Sequence, residues 1–215
     1  GSLSSLTGPS VDENGNIYLS WVGGADKPVV KISPDFVTQT TVADAGVNYN
    51  RITLVSPDAE HLYLGSCWNG IGVTVLESNL LGTAYTRVDT IGNVTGTVTA
   101  SDGTDSTVTH FLWAETAAWN NGVLWVGETD PAWSTHPFSG RWVGLNPTTG
   151  AIIDSIGIGA TVAPEDDASA LAATGVTCNP RGLARSNDGL TLYLADYSTN
   201  VIQVWTNSNP VTVSI

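Results

Sequence analysis

Apolar and polar positions alternate along most of this chain, in short runs broken by polar turns. Four stretches repeat one phrase. Asp12-Glu13-Asn14-Gly15-Asn16 leads into Ile17-Tyr18-Leu19-Ser20, and Ser56-Pro57-Asp58-Ala59-Glu60 into His61-Leu62-Tyr63-Leu64-Gly65. Asn120-Asn121-Gly122 leads into Val123-Leu124-Trp125-Val126-Gly127, and Ser186-Asn187-Asp188-Gly189 into Leu190-Thr191-Leu192-Tyr193-Leu194-Ala195. Each is a turn followed at once by a period-two strand with an aromatic at its middle, the pattern of a half-buried β-strand leaving a hairpin. The mid-strand aromatics, Tyr18, Tyr63, Trp125 and Tyr193, lie 45, 62 and 68 residues apart.

Repetition of one supersecondary unit at such intervals predicts an all-β fold, a β-propeller of four four-stranded blades. The units run over about 3–45, 46–92, 106–158 and 176–215, as a single domain over 1–215. Turn signals such as Ser33-Pro34-Asp35, Asn69-Gly70 and Asn146-Pro147 bound the remaining strands. One segment departs from the pattern. A proline, three acids, an alanine-rich run and a glycine over 163–175 predict a short helix in a loop. The long connections, about 92–107, 129–139 and 159–180, all fall at one mouth of the propeller, where loops carry function. No strand is left over to join the first blade to the last. The ring therefore closes by packing alone, is completed by another chain, including a second copy, or is part of a larger propeller.

Charge narrows the partners. Acidic residues number 20 against 7 basic ones, and the net charge of −13 repels phosphate backbones and anionic lipid surfaces. Nucleic-acid binding is not expected. Membrane insertion is not expected either, because no apolar run reaches the length of a bilayer span. The lysine-poor, Ser/Thr/Gly-rich and tryptophan-rich composition points to a secreted, extracellular protein.

Aligning the units on their aromatic anchors places further residues at the mouth. Twelve positions before the anchor stand Leu6, Arg51, Trp113 and Arg181; three after it stand Trp21, Ser66, Glu128 and Asp196. Next come Cys67, Trp68, Asp130 and Tyr197, with Trp133 in the long loop. Two arginines among acids and aromatics fit either of two arrangements. The arginines pair with neighbouring acids and hold blades together. Alternatively they line a carboxylate or sugar pocket, with bidentate guanidinium groups and flat aromatic walls. Trp21, Trp68 and Trp133 are candidates for stacking on sugars, or for packing between blades. His61, His110 and His136 have no ligand spacing, and Asp12–Asn16 has the wrong glycine and Glu placement for a calcium loop, so it is a hairpin turn.

The fourth unit, from Asn179-Pro180-Arg181-Gly182-Leu183 through Asp188-Gly189-Leu190-Thr191-Leu192-Tyr193-Leu194 to Val204-Trp205, resembles a blade of the NHL, YVTN and gluconolactonase-like propeller superfamily. The first unit is similar to the opening blade of the gluconolactonase family, through Gly8-Pro9 and Gly15-Asn16-Ile17-Tyr18. That resemblance implies six-bladed enzymes holding a divalent metal with a Glu before the first Gly-Pro and an Asn before a later Gly-Leu. Thr7 and Arg181 stand at those positions here. Thr7 lacks the charge and Arg181 repels a cation. The expectation is therefore no cofactor, with calcium as the one alternative. The favoured function is a non-catalytic extracellular binding or structural module, contacting a carbohydrate or protein partner at the mouth. The alternatives are a lactonase- or lyase-like propeller hydrolase and a subunit of an extracellular assembly.

Cys67 and Cys178 are the two cysteines, and neither has metal-type spacing. They are either free thiols or a disulfide. A bridge would close a loop of about 110 residues and add roughly 4 kcal/mol in the chain-entropy description. Asn93-Val94-Thr95 is a glycosylation sequon if the source is eukaryotic and secretory.

Overall fold

Runs rich in Val, Ile, Leu, Thr and aromatics form strands wherever Gly, Asn, Asp or Pro breaks the chain on both sides. The computed structural model describes residues 6–21, 28–44, 50–66, 72–92, 96–99, 105–108, 113–129, 140–156, 158–159, 176–177, 180–197 and 201–206. Blade 1 is β1 (Leu6–Val11), β2 (Ile17–Trp21), β3 (Pro28–Ile32) and β4 (Gln39–Asp44). Blade 2 is β5 (Asn50–Val55), β6 (His61–Ser66), β7 (Val73–Ser78) and β8 (Tyr85–Ile91). A two-stranded hairpin follows, β9 (Gly96–Thr99) with β10 (Asp105–Val108), inside a connection expected to be loop. Blade 3 is β11 (Trp113–Asn120), β12 (Val123–Thr129), β13 (Gly140–Leu145) and β14 (Ile152–Ile156). The short β15 (Ile158–Gly159) pairs in parallel with β16 (Val176–Thr177). Blade 4 is β17 (Pro180–Arg185), β18 (Thr191–Asp196) and β19 (Val201–Thr206).

Every blade is an antiparallel meander in chain order, and together they make the four-blade β-propeller that the repeats predict. The expected fourth strand of blade 4, over 210–215, lies outside the described residues, as does the short helix expected over 163–175. No helix occurs among the described residues.

The turns on one face share a single chemistry. Ser33, Ser56 and Ser186 each donate their hydroxyl to the Asp two residues on, at 2.5 Å in all three cases. The same Asp35, Asp58 and Asp188 oxygens accept the backbone N–H of Val37, Glu60 and Leu190. In the first hairpin Asp12 does this work alone. Its carboxylate is buried and accepts the N–H groups of Asn14 and Asn16 and the hydroxyl of Tyr18, a closed hairpin as the sequence indicates.

The core lies between blades. Tyr18 shares a buried cluster with Leu62 and Leu64 of blade 2, Tyr63 with Leu124 and Val126 of blade 3, and Trp125 with Leu192 and Leu194 of blade 4. Each anchor aromatic thus belongs to one core with the aliphatics that flank the next anchor. Burying one such aromatic is worth about 1.5–3 kcal/mol of transfer free energy.

Candidate active site

The first strand of each blade carries a β-bulge at its mouth end. Register shifts between Thr7 and Ser10, Asn50 and Ile52, Ala114 and Thr116, and Pro180 and Gly182. A bulge inserts an unpaired residue and re-aims its side chain. The inserted residues of blades 2, 3 and 4 are Arg51, Glu115 and Arg181, and their side chains meet. Arg181 Nη1 donates to Glu115 Oε2 at 2.5 Å, and Arg51 Nη1 lies 3.6 Å from the same oxygen. In blade 1 the bulge contains Gly8 at φ 56°, and a Cβ there would meet the Arg51 carbonyl oxygen at 2.4 Å. Glycine at this position lets blade 1 close on the backbone of Arg51.

Glu115 is buried, while Arg51 and Arg181 remain partly open to solvent. Burial pushes the Glu115 carboxyl above the ordinary glutamate range, and Arg181 and then Arg51 pull it partly back. Arg181 also lies over the exposed ring of Tyr197, 5.6 Å from its centroid. Its Nε is buried with no hydrogen-bond partner among the described residues. Asp196, buried, ends β18 directly opposite Pro180. Glu128 is buried opposite Ala114 and forms an ion pair with Arg141 across the β12–β13 ladder. Between blades 1 and 2, Asn50 Nδ2 donates to Ser20 Oγ at 2.6 Å, and Ser20 Oγ lies 2.6 Å from Thr53 Oγ1. The mouth end of the inner strands thus concentrates the buried charge and polarity.

Of the residues expected here from the sequence, Arg51 and Arg181 converge on Glu115, and Tyr197 lies beside Arg181. Asp196 and Glu128 sit at the same end of their strands, the latter committed to Arg141. Trp21 ends β2, half-buried, opposite Leu6. Trp68, Asp130, Trp133, Cys67, Cys178 and Asn93 lie outside the described residues.

Glu115 itself is missed by the anchor alignment, which places Trp113 in its slot. The cause is local. Tyr63 pairs with Leu54 and Tyr193 with Ala184, nine residues back, but Trp125 pairs with Ala118, seven back. The Asn121-Gly122 hairpin is two residues shorter than its counterparts, so the bulge stands ten residues before the anchor instead of twelve. Arg141 was missed as well, since its partner lies on another strand with no sequence spacing to mark it.

The opposite face offers less chemistry. A cavity of about 590 Å³ opens there among Tyr63, Trp119, Asp58 and Arg185. On its rim Asp58, Glu60 and His61 bring ligand-type atoms within 4.8 Å of one another. Asp58 is already engaged in its turn by Ser56 and Glu60 N–H, and neither Asp58 nor Glu60 is buried.

No family model matches the chain, and no curated protein matches its sequence. Solved structures do. A gluconolactonase from Xanthomonas campestris superposes with a TM-score of 0.59 at 11% identity, over 93% of this chain and 56% of its own. A protein assigned as a gluconolactonase superposes with a TM-score of 0.57 at 13% identity, over 95% of this chain and 60% of its own. The chain spans less than two thirds of either. These neighbours correct the expectation of a non-catalytic binding or structural module: both are described as gluconolactonases, which favours the lactonase-like alternative. In fold, the chain is a gluconolactonase-like β-propeller.

Proposed function

We propose that the chain contributes a lactone-hydrolysing site of the gluconolactonase-like type, built on Glu115 between Arg51 and Arg181. The observation that carries this is a buried carboxylate, its pKa pushed up by burial, facing two guanidinium groups at a propeller mouth. Fold alone does not carry it. In this reading a water attacks the lactone carbonyl carbon and Glu115 takes its proton. Arg51 and Arg181 stabilise the oxyanion that forms. The ring C–O bond then breaks, and Glu115 returns the proton to the departing alkoxide. The product is an open-chain hydroxy acid whose new carboxylate matches the arginine pair. The acidic, lysine-poor composition favours an extracellular setting.

The divalent metal that the family resemblance implies does not fit these residues. Where the resemblance implies a metal-binding Asn, this chain has Arg181, whose guanidinium already neutralises Glu115 at 2.5 Å. A second guanidinium lies 3.6 Å from the same oxygen. A dication placed there would face two fixed positive charges in a partly buried site. No step is therefore assigned to a metal. The test is release of acid from an aldonolactone followed in a pH-stat, with chelator present. The expected result is a rate above the uncatalysed background that Glu115→Gln abolishes. No rate above background would overturn the reading, and a rate lost on chelation would overturn its metal-free chemistry.

A further inference from the structure

Tyr63 is 3% exposed, yet its hydroxyl makes no hydrogen bond among the described residues. Buried tyrosine hydroxyls normally find a partner. Its counterpart in blade 1 does, since the Tyr18 hydroxyl donates to the buried Asp12 carboxylate at 3.2 Å. The turn acid of blade 2, Asp58, is exposed instead, and is engaged by the Ser56 hydroxyl at 2.5 Å and the Glu60 N–H at 3.0 Å. Burial and the Asp58 charge push the Tyr63 pKa up to about 12, so the group stays a hydroxyl and a donor. It lines the cavity of about 590 Å³ on the face opposite the charge cluster.

The rest of the lining is specific. Asn121 and Gly122, both at positive φ, close the β11–β12 hairpin tightly and border the cavity where blades 2 and 4 carry longer turns. Its apolar wall is Trp119, Val75 and the ring of Tyr63. Trp119 is fixed by its indole N–H, which donates to the Val55 carbonyl at 2.9 Å, and it stands edge-on to Tyr63 with ring centroids 5.3 Å apart. Charges of both signs complete the lining: Asp58 and Asp89 from blade 2, and Arg185 from blade 4. Among the described residues Arg185 forms no ion pair with either acid. Opposite charges thus share one cavity without meeting.

We infer that this cavity binds a small zwitterion with an apolar body, an α-amino acid with an aromatic side chain. The ligand ammonium faces Asp58 and Asp89. Its carboxylate accepts from Arg185 and from the Tyr63 hydroxyl, and its side chain packs on Trp119 and Val75. A ligand with a positive charge alone would leave the arginine and the buried hydroxyl unanswered, and one with a negative charge alone would face the two acids. The volume suits a molecule of this size. The inference is independent of the activity proposed above, which uses the other face.

The test is titration calorimetry of the full chain at neutral pH with three probes. These are phenylalanine, phenethylamine, which lacks the carboxylate, and phenylpropionate, which lacks the ammonium. Phenylalanine is expected to bind saturably, and each of the others at least about tenfold more weakly. Tyr63→Phe keeps the ring and removes only the hydroxyl. It should weaken phenylalanine binding about tenfold while thermal stability is held or raised, because an unpartnered buried hydroxyl is gone. Arg185→Gln, at an exposed position, should weaken phenylalanine and leave phenethylamine unchanged. Circular dichroism checks that each variant keeps its β-sheet, and if Tyr63→Phe misfolds, Arg185→Gln decides. No saturable binding of phenylalanine at millimolar concentration would overturn the inference. So would phenethylamine binding as tightly as phenylalanine, or folded variants that bind phenylalanine as the parent does.

Discussion

Arg181, on the first strand of blade 4, holds the carboxylate of Glu115, on the first strand of blade 3, at 2.5 Å. Arg51 of blade 2 approaches the same oxygen from the other side, at 3.6 Å. One buried acid thus ties three consecutive blades. Glu115→Gln removes the charge that both arginines face. Both arginines are partly solvated, which softens the loss relative to a fully buried pair. Burial already disfavours the ionised carboxyl, so the neutral amide is expected to change stability by no more than about 1 kcal/mol. Urea denaturation at neutral pH measures it; a loss of about 3 kcal/mol or more would show that the ionised pair holds the blades together.

Under the proposed hydrolysis, the pH dependence of the rate follows from the same carboxyl. Its folded pKa lies above the ordinary glutamate value, so the base form accumulates only as pH rises through that higher value. The lactone-hydrolysis rate should rise on a limb displaced upward from the ordinary glutamate range of about 4.3. Stability has the opposite sign for this group. A raised folded pKa favours the protonated fold, so its contribution is present at low pH and lost as pH rises through the folded value. A rate profile flat from pH 4 to 8 would remove Glu115 from the base role.

The serine–aspartate turns behave in the reverse way. Hydrogen bonds from Ser33, Ser56 and Ser186 hold Asp35, Asp58 and Asp188 below the ordinary carboxylate range. Their stabilisation is present above the unfolded value, about 3.9, and is lost as pH falls through the lower folded values. Replacing all three by Asn should flatten the acid limb of the stability curve below about pH 4. Thermal unfolding from pH 6 to 2.5 gives the comparison, and parallel curves for parent and triple variant would contradict it.

Gly127 lies where blade 4 crosses blade 3. A Cβ there would meet Pro180 Cβ and Thr116 Cγ2, each at 2.7 Å. Gly127→Ala should cost about 1–3 kcal/mol through overpacking. Pro180 precedes Arg181, so the same substitution should lower lactone turnover by moving the guanidinium from Glu115. Stability and rate measured on one preparation test both; a stable variant with full rate would show that the backbone gives way freely.

The equivalent tyrosines should differ sharply in the isolated chain. Tyr63→Ala opens a void in the core between blades 2 and 3, edge-on to Trp119, and should cost about 3–5 kcal/mol. Tyr193→Ala, at the half-exposed counterpart, should stay within about 0.5 kcal/mol. Denaturation of both variants tests the contrast, and equal losses would show that Tyr193 is packed in solution.

The blades were legible because the turn phrase and the mid-strand aromatic recur with the strand that follows them. Arg51 and Arg181 were legible because their units keep the same turn length. Glu115 was not, because the short hairpin of blade 3 moves its bulge out of phase. The β9–β10 hairpin escaped notice because Gly96-Thr97-Val98-Thr99 and Asp105-Ser106-Thr107-Val108 lack the aromatic and aliphatic density of the blade strands. Thr7 and Arg181 stand where the resemblance implies metal ligands, so the sequence points away from catalysis; the proposed hydrolysis rests instead on Glu115, a base that would need no metal.

The shortened Asn121-Gly122 turn has a consequence for how this molecule can change. It lies on the face opposite the charge cluster, one strand length away, roughly 20 Å. Yet it sets which residue of β11 reaches that cluster. Because side chains in a strand alternate with a period of two, inserting or deleting two residues in such a turn keeps the buried face buried. It slides a different side chain into the mouth. Small length changes on the plain side of the molecule can thus replace chemistry on the other, with every residue of the site left unmutated.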